Sequence, residues 1–169
     1  MNNNIEVYAN ITNFPNYQVS TFGNVKNVKT ERILKPGTEG GGYLYVILTD
    51  DGKQSTKKIH RLVASAFLEN QENKKNVDHI DRCKTNNHLS NLRFATDSEN
   101  QQNKSFQSNN KSGVIGVSWY KSSKKWSVHI QLNGVQKHLG YFINIEDAKT
   151  ARSNAEIQYF KDFRAIIPV

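Results

Sequence analysis

Asp78 and His79 are adjacent in a short β-prone run, Val77-Asp78-His79-Ile80, and Asn100 follows in a segment of helical character. Successive residues on a strand face opposite ways, so a carboxylate would look to one side and an imidazole to the other. Phosphodiester hydrolysis needs a cation, a base to deprotonate water and a scaffold that holds both, and a carboxylate, an amide oxygen and an imidazole can supply the cation ligands and the base. A cation offsets the charge that builds on the phosphate, and the imidazole takes a proton from water. Asp78 and Asn100 are hard donors, which suits Mg2+ or Mn2+ and leads to no expectation of zinc. The single cysteine, Cys83, rules out an internal disulfide and a multi-cysteine zinc knuckle. Alone, an Asp-His pair is more often a surface loop or a capped histidine than a catalytic site.

The elements around the pair change that weighting. The run Val77–Ile80 predicts a strand, residues 81–90 a polar Asn-rich loop, and Leu92-Arg93-Phe94-Ala95 a second strand. Thr96-Asp97-Ser98-Glu99 has the Thr-x-x-Glu pattern of a capping box, which makes Thr96 the N-cap and puts Asn100 in the first helical turn, facing back toward the hairpin. Strand, loop, strand and capped helix thus arrive in the order that lets a strand-borne carboxylate and a helix-borne amide share one cation.

Residues 1–68 read as short strands with turn punctuation, ending in a helix from His60 to Leu68 whose Leu62, Val63, Ala66 and Phe67 make one apolar face. Tyr17–Ser20, Gly23–Val25 and Tyr43–Leu48 are the strand candidates, the last closed by a turn at Asp50-Asp51-Gly52. Residues 69–76 are polar and precede the hairpin, so residues 69–104 form a second module, and residues 105–112 read as a linker. Residues 113–169 predict three strands, Val114–Trp119, Lys125–Leu132 and Val135–Phe142, then a helix from Ile145 to Phe160 capped by Asn144. The fold class expected is therefore α+β, in three small modules. His60, beside an apolar helix face, reads as a satisfied structural histidine, and His88 as a solvated loop residue.

Charge points to the partner. The chain carries 23 Lys and Arg against 15 Asp and Glu, a net +8, and nine basic against four acidic residues fall within 111–169. That balance favours a polyanion, and nucleic acid first. The start, Met1-Asn2-Asn3-Asn4-Ile5-Glu6, lacks the basic and apolar runs of a secretory signal, and no stretch approaches membrane-spanning length, so a cytosolic protein without membrane contact is expected.

Asp78-His79-Ile80-Asp81, then Asn86-Asn87-His88-Leu89-Ser90-Asn91-Leu92-Arg93 and Ser98-Glu99-Asn100-Gln101-Gln102-Asn103, resemble the HNH, or ββα-metal, nucleases of phage and intron homing enzymes. The resemblance implies that His79 activates water, that Asp78 and Asn100 hold one divalent cation, and that Asn91 orders the loop and orients the base. Asn87 and Asn103 are secondary candidates. It also implies cleavage of double-stranded DNA to 5′-phosphate and 3′-hydroxyl ends, with a phage, viral or mobile-element origin. Tyr17–Ser20, Gly23–Val25, Gly42-Tyr43 and His60–Ala64 resemble the modular segment found ahead of such cores. Gly116-Val117, Lys125-Trp126, Leu139–Phe142 and Glu146–Ala148 resemble the APETALA2-type DNA-binding domain, whose three-stranded sheet enters the major groove.

Alternation along Lys125–Leu132 places Trp126, Val128 and Ile130 on one face and Lys125, Ser127, His129 and Gln131 on the other. The second face is expected to meet DNA, joined by Ser118, Tyr120, Gln136 and His138, with Lys121 and Lys124 near phosphates. An RNA-directed role is disfavoured because neither sheet is expected to present paired exposed aromatics. The runner-up is a DNA-binding regulator with a catalytically silent HNH scaffold. A monomer would nick one strand, while a homodimer would cut both.

Overall fold

The computed structural model describes residues 5–103 and 110–163. In chain order these form β1 (Tyr8–Ile11), β2 (Phe14–Ser20), β3 (Val25–Asn27), β4 (Gly37–Thr38), β5 (Leu44–Asp50), β6 (Lys53–Lys58), α1 (Ile59–Phe67), β7 (Asn76–His79), β8 (Leu92–Ala95), α2 (Asp97–Gln102), β9 (Val117–Tyr120), β10 (Lys125–Leu132), β11 (Val135–Phe142) and α3 (Ile145–Phe160). The class is α+β, as expected. Every described sheet is antiparallel, in the orders β1-β2-β3, β4-β5-β6, β7-β8 and β11-β10-β9. Two compact units result, one ending at Thr96 and one beginning at Asp97. No described helix is long and apolar enough to cross a membrane.

The first unit is built on a core of Val19, Val25, Val46, Leu48, Ile59, Val63 and Leu92, each 4% exposed or less. Alternation puts Val46 and Leu48 inside while Ile47 between them stays exposed. The turn at Asp51-Gly52 takes positive φ at both residues (47° and 76°), the geometry that lets β5 and β6 pair without splaying. On α1, Ile59 and Val63 fall one turn apart and enter the same core. Leu92, from the β7–β8 hairpin, joins them, so the apolar cluster runs without a break past residue 68, where the sequence suggested a module boundary.

In the second unit α3 packs on the sheet through Ala148 and Ala155, against Val117, Val128 and Ile130. Asn144 caps the helix, its Oδ1 accepting from the Glu146 amide at 2.9 Å. Asn133 and Gly134 both have positive φ (49° and 83°) and join β10 to β11. The strand expected from Val114 instead begins at Val117, because residues 112–116 turn around the Ser112 hydroxyl, which lies 2.9 Å from the Val114 carbonyl and 2.7 Å from that of Val117. Gly116 (φ 78°) has no room for a side chain between the His129 carbonyl and the Arg152 guanidinium. Residues 105–109 of the expected linker and the Asn run at 2–4 lie outside the described residues.

Candidate active site

In the β7–β8 hairpin, Asp78 pairs with Arg93 and His79 with Leu92, and the two chemistry-bearing side chains leave opposite faces of β7. Both are buried, at 7% and 5% exposure. The Arg93 guanidinium donates from Nε and Nη2 to Oδ2 of Asp78, at 2.9 and 2.8 Å. A charge-assisted fork of this kind fixes the carboxylate in an environment that would otherwise disfavour it.

On the other face, Nε2 of His79 lies 3.0 Å from Oδ1 of Asn87. His60 meets its ring edge-on with centroids 5.0 Å apart, and Tyr43 is 5.9 Å away. Between the strands, Asn91 ties the loop together. Its Nδ2 donates to Asp81 Oδ1 and to the Asn86 carbonyl, each at 2.8 Å, and its Oδ1 accepts from the Asp81 amide at 3.0 Å. Its backbone carbonyl accepts from Ile80 at 2.9 Å. Burial works to raise the Asp81 carboxyl, but hydrogen bonds from the Asn86 side chain, the Cys83 amide and Asn91 hold it below its ordinary value. The loop is therefore locked through a carboxylate that stays ionised.

Residues 57–102 match the model for the HNH endonuclease family, and residues 6–49 match the NUMOD4 motif. The chain carries an HNH endonuclease domain. Over 94 residues it is 46% identical to the uncharacterized HNH endonuclease L247 of Acanthamoeba polyphaga mimivirus, covering 54% of this chain and 24% of that one. Over 87 residues it is 41% identical to DNA endonuclease I-HmuI of Bacillus phage SP01, covering 52% of this chain and 50% of that relative. The solved structure described as DNA binding and cleavage by the HNH homing endonuclease I-HmuI superposes with a TM-score of 0.55 at 29% identity, covering 78% of this chain and 76% of that one. The chain spans half or less of the length of these two curated relatives.

Within the HNH domain the sequence candidates divide between the units. Asp78, His79, Asn87 and Asn91 gather on the hairpin of the first, whereas Asn100 is half-buried on α2 and Asn103 buried just after it, in the second. The donor chemistry of Asp78 and Asn100, a carboxylate and an amide oxygen, fits a hard divalent cation. Arg93 and Tyr43 were not singled out from sequence. Antiparallel pairing across the hairpin was the signal for Arg93, since it stands opposite Asp78; Tyr43 was legible only as part of the N-terminal modular segment, with no signal linking it to His79.

His60 corrects an expectation. It is 4% exposed, yet its Nδ1 has no hydrogen-bond partner among the described residues. Burial, with added repulsion from His79, Arg61 and Lys58, pushes its pKa from 6.5 down to about 3. The folded state thus refuses a proton that the unfolded chain accepts, so stability should fall as pH drops from 6.5 toward 3, with a slope approaching about 1.4 kcal/mol per pH unit. Urea titrations across that range check this: His60→Leu should flatten the slope by one proton, and an unchanged slope would rule the effect out.

On the second unit's sheet, register places Tyr120 opposite Lys125, Ser118 opposite Ser127, His129 opposite His138 and Gln131 opposite Gln136, all on the face away from α3. Ser118, Tyr120, Lys121, Lys124, Lys125, Gln131, Gln136 and His138 are exposed, and His129 is half-buried. The expectation that this sheet lacks paired exposed aromatics is not met. Tyr141, 50% exposed, lies 5.6 Å from Tyr120 and 4.6 Å from His138, centroid to centroid, because the irregular register beside Gly140 brings Tyr141 and His138 to the same side.

Proposed function

We propose that this chain is a sequence-selective DNA endonuclease of the homing type. The observation that carries the reading is the back-to-back placement of a held carboxylate, Asp78, and a held imidazole, His79, on one strand of a matched HNH domain. Asp78 and Asn100 would hold one Mg2+ or Mn2+ ion, which when bound supplies charge stabilisation at the phosphate and leaving oxygen. His79 acts as general base toward water on the opposite side, with Asn91 keeping the loop in shape and Asn87 and Asn103 as supporting amides. Hydrolysis leaves 5′-phosphate and 3′-hydroxyl ends.

The partner is double-stranded DNA. The second unit would read it in the manner of an APETALA2-like domain, with Ser118, Tyr120, Lys125, His129, Gln131, Gln136 and His138 toward bases and Lys121 and Lys124 toward phosphates. One HNH site cuts one strand per visit, so a monomer nicks, and a homodimer would break both strands of a pseudo-palindromic site. The competing reading is a DNA-binding regulator with a silent HNH scaffold, favoured by the Arg93 fork on Asp78.

Plasmid relaxation separates the two. Supercoiled DNA with Mg2+ or Mn2+ should become open circular or linear, and chelation with EDTA should stop the conversion while gel-shift binding persists. Intact supercoiled DNA under both ions would favour the regulator.

A further inference from the structure

The turn between β2 and β3 is clasped to the loop of the HNH hairpin. The Leu89 amide donates to the Thr21 carbonyl at 2.7 Å, and the Phe22 ring stacks on His88 with centroids 4.8 Å apart. Between these contacts Gly23, at φ +85°, presses on Asn87 so closely that a Cβ there would stand 2.8 Å from the Asn87 Cβ and 3.2 Å from its carbonyl oxygen. Asn87 is 5% exposed, and its Oδ1 meets Nε2 of His79 at 3.0 Å.

We infer that Asn87 is the positioning residue of the base, and that the turn of the NUMOD4 segment holds Asn87 in place. The inference rests on the nuclease reading of His79. An amide oxygen only accepts, so facing Nε2 it selects the tautomer with the proton on Nε2 and the lone pair on Nδ1. The same bond fixes the plane of the ring. Asn87 cannot drift away, because its backbone is backed by Gly23 and the next residues are fastened to Thr21 and Phe22. A side chain at position 23 would push Asn87 out of register with His79. The N-terminal segment is on this account part of the catalytic apparatus, acting through Asn87.

The test uses the full chain labelled with 15N-histidine. Imidazole spectra are recorded where His79 is neutral and assigned by comparison with His79→Gln, alongside plasmid nicking at saturating DNA. Wild type and Asn87→Asp, which keeps the acceptor oxygen, should show the Nε2–H tautomer. Asn87→Ala should show a tautomer mixture and a turnover lower by about 10- to 100-fold with KM within about twofold. Gly23→Val should move both readouts the same way with Asn87 intact. Should Asn87→Ala fail to fold, Asn87→Ser is read by the same criteria. Wild-type turnover and tautomer in Asn87→Ala and Gly23→Val would overturn the inference. A wild type that never nicks would overturn the nuclease reading instead.

Discussion

His79→Ala is expected to lower plasmid nicking by roughly 10²- to 10⁴-fold, the usual contribution of a positioned general base. The imidazole is held by Asn87 and backed by His60 and Tyr43, so on the proposed reading the substitution removes a proton acceptor whose geometry is already set. DNA affinity in gel shift should stay within a few tenths of a kcal/mol, since His79 is only 5% exposed. His60→Leu is the matched control: a buried histidine in the same cluster, whose loss should cost far less turnover. Equal losses from the two substitutions would mean that the cluster supports the fold and that the base lies elsewhere.

Arg93→Met should destabilise the first unit by about 3 kcal/mol, measured by urea denaturation at neutral pH, because it leaves the Asp78 carboxylate without its fork in a site where that side chain is only 8% exposed. Asp78→Asn combined with Arg93→Met should recover much of the loss, since the charge that needs compensation is gone. A loss under about 1 kcal/mol for the single variant would show that the pair behaves as a surface salt bridge. The result bears on function as well. If Arg93 is what aims the Asp78 carboxylate, then Arg93→Lys, which retains charge but not the planar fork, should fold yet bind Mn2+ differently from wild type.

Much of this molecule was legible before any coordinates. The β7–β8 hairpin and the start of α2 follow from alternation, an Asn-rich loop and the Thr96-Glu99 spacing, and their positions shift by at most a residue. The span of α3 and its Asn144 cap were readable for the same local reason. Strands without an apolar signature were not. β6, Lys-Gln-Ser-Thr-Lys-Lys, has no alternation to detect and exists because β5 offers it a full antiparallel register from Tyr45 to Asp50. β1 and β4 are similarly short and are stabilised by their neighbours.

Which groups are available for chemistry follows from residue type and strand periodicity, both local properties: a carboxylate and an imidazole on opposite faces of one strand, an amide in the helix after it, and a basic C-terminal third. What surrounds them is settled by long-range packing. The pressure of Gly23 on Asn87, the Tyr43 and His60 rings beside His79 and the unpartnered Nδ1 of His60 depend on contacts between distant segments. Such contacts are set by packing one shared core from β2, β5, α1 and β8, and no local pattern encodes which side chains that packing brings face to face.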